Sequence, residues 1–298
     1  MDLGIIILNY NTREVLRDCL KSLESARGLE FETIVVDNCS SDGSLDMMRQ
    51  EFPAVRVIAS PRNGGFAYGN NLGLREFLAG PIPPRALLLL NPDTVVPPDA
   101  LRGLMDFLDA HPRAGVVGPR LTLADGSLDL ACRRSFPTPE VSFYRMTGLS
   151  KLWPRSRRFG RYNLTYLDEN ETAEVDSVVG ACMLMRTQAL QQAGLLDEAY
   201  FMYGEDLDLA LRFKQCGWQV YYYPGVQVLH YKRVASKRSR KAQLEFNRAM
   251  YIFYRKHYAR TTPFWLHAIV VGGIALRGGM TLAREIVWPR PASPTASH

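Results

Sequence analysis

The sequence predicts an α/β protein built on a mainly parallel sheet with flanking helices and a basic, helical C-terminal extension. Two observations point there. Apolar runs of strand length at Leu3 to Leu8, Thr33 to Val36, Val55 to Ala59 and Ala86 to Leu90 alternate with segments of helical period. Such alternation requires right-handed crossovers and puts the loops after successive strands on one rim of the sheet. In addition, a chain of 298 residues with 47% hydrophobic content can bury a substantial core.

Taken in order, Leu3 to Leu8 reads as a strand buried on both faces, and Thr12 to Leu23 carries Leu16, Cys19, Leu20 and Leu23 at helical spacing. The strand Thr33 to Val36 ends in Asp37-Asn38-Cys39-Ser40-Ser41-Asp42-Gly43, rich in groups that start helices. After the strand Val55 to Ala59 comes a glycine- and asparagine-rich stretch, Asn63-Gly64-Gly65-Phe66-Ala67-Tyr68-Gly69-Asn70-Asn71. The run Ala86 to Leu90 leads straight into Asn91-Pro92-Asp93, so Asp93 falls at a strand's carboxyl edge, where open α/β sheets bind ligands. An Asp there can give oxygen to Mg²⁺ or Mn²⁺ bridging to a diphosphate, although the tripeptide alone is equally good turn chemistry. Asn9, Asp37 and Asp93 are expected to converge on that rim.

The pocket so formed is not a dinucleotide site, because the first turn, Asn9-Tyr10-Asn11-Thr12, lacks the glycine fingerprint that seats a pyrophosphate on a helix. Asp37 can accept the imide N–H of a uracil or thymine ring, or cap the next helix. Further on, Gly204-Glu205-Asp206 opens a segment in which Leu207, Ala210, Leu211 and Lys214 recur at helical spacing. Three acids at a helix start also suit the helix dipole. His230 follows the apolar strand Val226 to Leu229 and is either a hydrogen-bonded core histidine or a cation ligand.

Charge is uneven: 13 Lys and Arg against 2 Asp and Glu from Tyr231 onward, and 23 against 28 before it. The division suggests a body over residues 1–230 and a basic extension over 231–298. Trp265 and Phe264 beside the run Ala268 to Leu276 resemble a membrane-surface element, with Arg277 and Arg284 interrupting before the ~20 apolar residues of a spanning helix. Nucleic acid is not the expected partner, since no recognition motif accompanies the charge. The five cysteines form no C-x-x-C pair, and the amino terminus lacks a signal-peptide pattern, so a reducing cytoplasm, with the tail on the inner face of the cell membrane, is expected. Asn163-Leu164-Thr165 and Asn170-Glu171-Thr172 are then chance matches to glycosylation sequons.

Together, Ile7-Leu8-Asn9-Tyr10-Asn11, Val35-Val36-Asp37-Asn38, Asn63-Gly64-Gly65-Phe66-Ala67, Leu90-Asn91-Pro92-Asp93, Val179-Gly180-Ala181, Tyr203-Gly204-Glu205-Asp206-Leu207-Asp208 and Val228-Leu229-His230 resemble the family 2 glycosyltransferases of Rossmann-like GT-A fold, in their bacterial rhamnosyltransferase-like branch. The resemblance covers roughly the first 260 residues. It implies a nucleoside-diphosphate sugar donor (dTDP-rhamnose or a UDP-sugar), a divalent cation, inversion at the anomeric carbon and a saccharide acceptor carried by a membrane lipid. It makes Asp206 the general base and Glu205 an orienter of acceptor hydroxyls, with Asp93 and His230 as metal ligands. Asn9, Asn11, Asp37, Arg62, Asn63, Gly65, Asn71, Asn91 and Asp93 become the donor-binding set. One departure is notable, because many members carry two or three acids where this chain has Asn91-Pro92-Asp93. The basic segment Lys232 to Lys241 is expected to fold over the diphosphate or to meet a lipid phosphate, and the irregular insertion from Arg134 to Glu174 to shape the acceptor side.

Overall fold

A computed structural model describes residues 1–232 and 240–288. The apolar runs form the strands β1 (Leu3–Asn9), β2 (Phe31–Asp37), β3 (Arg56–Ala59) and β4 (Ala86–Leu90), with α1 (Arg13–Glu24), α2 (Ser44–Glu51) and α3 (Phe66–Ala79) between them. These four strands pair in parallel in the order β3-β2-β1-β4. All five residues of β4 are buried, the pattern of a strand covered on both faces. The parallel half of the sheet is thus the one the sequence predicts.

The other half departs from simple alternation. Following β5 (Thr94–Val95), α4 (Ala100–Ala110) and β6 (Ala114–Thr122), the chain makes a short 3-10 turn at Leu130–Cys132 and enters the irregular insertion. That insertion contains α5 (Pro139–Met146), α6 (Leu149–Leu152) and β7 (Ala173–Glu174). Next come β8 (Cys182–Arg186), α7 (Thr187–Ala193), α8 (Glu205–Gln215) and β9 (Gln219–His230). β8 inserts antiparallel between β4 and β6, and β9 runs parallel to β6 and antiparallel to β5. The complete path is β3-β2-β1-β4-β8-β6-β9-β5, with β7 pairing with β9. This mixed half brings Asp93 and His230 together, because Thr94 of β5 is paired with His230 at the end of β9.

The C-terminal extension folds as two helices, α9 (Arg240–His257) and α10 (Phe264–Val287). Ala249 and Phe253 of α9 pack on Tyr200 and on Leu207 of α8, and Tyr254 packs against Ile274 and Leu282 of α10. α10 spans 24 residues as two helical stretches that meet at a kink at Gly279, where φ is 71°. By length and composition the two stretches together could cross a membrane, but the unbroken part, residues 264–278, falls short of the ~20 residues of a spanning helix, in keeping with the expected run too short to span. The bulk of the basic segment, 233–239, lies outside the described residues, so the expected lid is represented here only by Lys232, Arg240 and Lys241. All five cysteines are free thiols.

Candidate active site

The carboxyl ends of β1 and β2 meet first. Asn9 and Asp37 are paired in register and both buried. The Asn9 amide donates to Asp37 Oδ1 (2.7 Å) and to Ser40 Oγ (3.0 Å), while the Ser40 N–H donates to Asp37 Oδ2 (2.9 Å). Each oxygen of Asp37 thus accepts one hydrogen bond from the protein, which ties the two loops together, and each keeps a further lone pair with which the carboxylate can accept a donor N–H. Asn11, at φ 53°, accepts the Ser41 N–H (2.8 Å) and ties the same two loops from outside. Asn and Asp tolerate such left-handed backbone better than most residues, which explains an asparagine here.

The glycine-rich stretch is joined to this rim by Asn38, which sequence reasoning did not single out. Its side-chain amide donates to Asn63 Oδ1 (2.9 Å) and its Oδ1 accepts the Gly64 N–H (3.1 Å). Asn63 Oδ1 also accepts the Gly65 N–H (3.1 Å). Gly65 has φ +90°, and a Cβ there would stand 2.2 Å from the Phe201 carbonyl oxygen. Only glycine allows that approach. The Phe66 N–H then donates to the same carbonyl (2.6 Å), docking this loop on the segment that leads into Gly204-Glu205-Asp206. Arg62 is exposed at the rim with its guanidinium 5.0 Å from the Tyr68 ring. Asn71 does not join them. It is buried in α3, its amide donates to the Leu196 carbonyl (2.9 Å) and Glu198 (2.8 Å), and its oxygen accepts the Leu196 N–H (3.1 Å). The structure gives it a bracing position in place of a donor-facing one.

The turn Val179-Gly180-Ala181 links the two acidic motifs. The Ala181 carbonyl accepts the Asn91 N–H (2.9 Å), and the Gly180 N–H donates to Asp206 Oδ2 (3.1 Å). Asp206 Oδ2 also accepts from Arg134 Nη2 (2.7 Å), an ion pair in which both side chains are buried. Arg134 opens the insertion, and its backbone is bonded to Ser177, so the insertion leaves and rejoins the body beside Asp206. Glu205 is buried too, and its Oε2 has no hydrogen-bond partner. Burial, then the neighbouring charge of Asp206, raise its pKa well above the ordinary glutamate range. Asp208, one turn further in, is anchored by Arg212 (2.9 Å), His257 (2.7 Å) and Lys256 (2.8 Å), which together hold it down to about 2 in spite of its burial.

At the opposite end of the rim, His230 Nε2 faces Asp93 Oδ1 (3.4 Å), and His230 Nδ1 faces Asp129 Oδ2 (3.0 Å). The Lys232 ammonium also pairs with Asp129. Burial opposes a charged imidazole here, but Asp129 and Asp93 accept its ring protons and lift its pKa to about 8. Asp129 was invisible in the sequence: it stands in a loop with nothing to mark it until β9 brings His230 alongside.

Do these residues fit a divalent cation? Asp93 Oδ1 and His230 Nε2 stand 3.4 Å apart, near the ~3 Å between adjacent ligands of an octahedral ion with bonds of about 2.1 Å. With Nδ1 held by Asp129, Nε2 is the nitrogen that could exchange its proton for a ligand bond, the usual carboxylate-histidine arrangement behind a metal. Among the described residues no group of three or more His, Cys, Asp and Glu is disposed to hold a metal. The pair thus fits a cation shared with phosphate and water and not a closed protein cage.

Comparison with known proteins shows the family and the fold. The N-acetylglucosaminyl-diphospho-decaprenol L-rhamnosyltransferase of Mycobacterium tuberculosis is 29% identical over 291 residues, spanning 95% of this chain and 94% of the relative. The rhamnosyltransferase WbbL of Escherichia coli K12 is 27% identical over 232 residues, covering 76% and 82%. Among solved structures, S. aureus TarS 1-349 superposes with a TM-score of 0.56 at 15% identity, covering 97% of this chain and 73% of that one. GalNAc-T7, solved with UDP, GalNAc and Mn²⁺, gives 0.59 at 14%, covering 98% and 58%. These likenesses show the GT-A fold. The glycosyl transferase family 2 profile matches residues 4–194, and the chain belongs to that family of enzymes.

Proposed function

We propose that this glycosyltransferase works by inversion with a divalent cation, Mg²⁺ or Mn²⁺, transferring L-rhamnose from dTDP-rhamnose to a saccharide carried on a membrane lipid in cell-surface polysaccharide synthesis. The observation that carries the reading is the Val179-Gly180-Ala181 turn, hydrogen-bonded on one side to Asn91, beside Asp93, and on the other to Asp206. A donor diphosphate next to Asp93 and His230 would thereby present its sugar toward Asp206. The rhamnosyl and lipid-linked parts rest on the names of the relatives in Mycobacterium tuberculosis and Escherichia coli.

In a single displacement the acceptor hydroxyl loses its proton as it attacks, and a carboxylate must stand within reach of it. Asp206 is the candidate, its carboxylate fixed in position by Arg134 and the Gly180 N–H. Glu205, whose pKa is raised, can donate a hydrogen bond to an acceptor oxygen and orient it. Asp93 and His230 would hold the cation, which when bound supplies Lewis-acid stabilisation of the leaving diphosphate. Asn9, Asn11, Asp37 and Asn63 hold the loops against which the nucleoside would lie, with Arg62 at the pocket mouth and Gly65 permitting the close backbone approach. The body is proposed to span 1–230, with the extension keeping the enzyme peripheral on the inner face of the cell membrane.

The test is transfer to a polyprenyl-diphosphate-linked N-acetylglucosamine acceptor, with dTDP-rhamnose and a panel of UDP-sugars, each with and without Mn²⁺ or Mg²⁺. Transfer from dTDP-rhamnose alone supports the reading. Transfer from a UDP-hexose or UDP-galactofuranose would replace the donor, and chelator-resistant transfer would remove the cation.

A further inference from the structure

The outer face of α10 is apolar and uncovered. Trp265, Ile269 and Leu276 fall within about 40° of one another at 3.6 residues per turn, and Leu276 is 86% exposed. The opposite side carries the buried Ile274, which packs on α9. A second apolar cluster lies far away in sequence, in the insertion. Phe143 of α5, Leu152 of α6 and Trp153 beside it are exposed, Leu152 at 65%. The two clusters are neighbours in space, because the Met146 methyl at the end of α5 stands 3.5 Å from where a Gly273 Cβ would lie on α10. Arg145 of α5 also stacks on Phe246 of α9.

Basic side chains border both clusters. Lys151, Arg155 and Arg157 are exposed around α6, and Arg277 and Arg284 along α10. The extension is strongly basic while the body carries a slight acidic excess. An apolar stripe with Trp in it, edged by Arg and Lys, complements a bilayer of anionic phospholipid: the rings enter the interface and the cations meet headgroups. A protein interface, by contrast, is poor in lysine at its core.

We infer that α10 and the α5–α6 insertion form one bipartite membrane-docking surface that seats on anionic phospholipid, with α10 lying in the plane of the interface and not crossing it. Spanning would require α10 to leave α9. It would break the Tyr254–His267 hydrogen bond (3.0 Å) and the paired Arg248–Glu285 contacts (2.9 and 2.7 Å), and take Arg277 into hydrocarbon. Seated in plane, the surface holds the catalytic end rigidly, since His257 and Lys256 at the end of α9 grip Asp208, one residue from Leu207 and two from Asp206. The inference goes beyond a basic tail anchor by giving the insertion an equal share, and vesicle binding tests it without turnover, so it stands or fails separately from the donor and acceptor proposed above.

The experiment is sedimentation of the full-length protein with vesicles of phosphatidylcholine alone and with 30% phosphatidylglycerol (about the anionic content that gives a strong surface potential). The wild-type protein is expected to sediment with the anionic vesicles, and alkaline carbonate is expected to release it from isolated membranes. Leu152→Glu/Trp153→Glu and, separately, Ile269→Glu/Leu276→Glu are each expected to weaken vesicle binding by about tenfold or more while leaving the thermal transition in place. Normal binding by the α6 variant would overturn the bipartite surface, and resistance to carbonate would overturn the in-plane placement. Failure of the wild-type protein to bind vesicles, with a dimer that the α10 variant dissolves, would give the face to a second copy of this chain and overturn the inference outright.

Discussion

Two carboxylates of the candidate site, Asp206 and Asp93, are held in opposite ways. Asp206 is locked by a buried guanidinium and the Gly180 N–H on Oδ2 and by the Leu207 N–H on Oδ1, next to a glutamate whose Oε2 has no partner. Asp93 instead heads a chain of alternating charge that runs through His230 and Asp129 to Lys232. The first arrangement fixes one carboxylate in position beside an acid whose pKa burial raises, which suits proton transfer. The second keeps a carboxylate and an imidazole aimed at one point and backs the ring with another carboxylate, which suits a ligand that arrives and leaves. On the proposed reading the first is a proton-handling pole and the second a charge-binding pole, and the Val179–Ala181 turn is bonded to both sides.

That contrast can be broken in order of expected effect. Asp206→Asn keeps the shape of the proton-handling pole but removes its basicity, and transfer should fall by about 10²- to 10⁴-fold, read in a single-turnover assay. Asp93→Asn should lower metal-dependent turnover on the order of 10²-fold while leaving metal-free nucleotide binding intact, as followed by calorimetry. Asp129→Asn touches neither donor nor acceptor; it loosens the imidazole, and the cation concentration needed for half-activity should rise by about 10- to 100-fold. Asn71→Ala leaves the buried Leu196 N–H unsatisfied and should cost about 1–3 kcal/mol in denaturant unfolding with donor affinity unchanged, which separates bracing from binding.

The smallest effect is a pH slope. Burial raises the folded-state pKa of Glu205 above its unfolded value, so the stability it contributes is fully present below the ordinary glutamate pKa and is lost as pH rises through the raised one. Glu205→Gln removes that titration. Its thermal transition should therefore decline less than wild type between weakly acidic and weakly alkaline pH, while its acceptor KM rises. Parallel melting curves across that range would remove Glu205 from the proton-handling pole.

How far the sequence foretold this site follows from how local each signal is. Strands β1 to β4 were legible because each is a contiguous apolar run bounded by turn residues, and the placement of Asn9, Asp37 and Asp93 on one rim follows from parallel pairing alone. The partners that give those residues their state were not legible. Arg134 meets Asp206 across 72 positions and Asp129 meets His230 across 101, and neither carries a local pattern. Asn71 shows the converse: it sits in a conspicuous motif, yet folding turns its amide to the Leu196 backbone. In α10 the interruption read from Arg277 falls within two residues of the real one, since the helical path breaks at Gly279, where φ is 71°.

The two-pole account is tested most directly by measuring Mn²⁺-dependent donor-nucleotide binding and sugar transfer side by side in Asp206→Asn and Asp93→Asn. The account predicts that Asp206→Asn keeps the wild-type metal-dependent gain in nucleotide affinity while transfer collapses, and that Asp93→Asn loses the gain itself. Full transfer by Asp206→Asn, or an undiminished metal-dependent gain in Asp93→Asn, would contradict it.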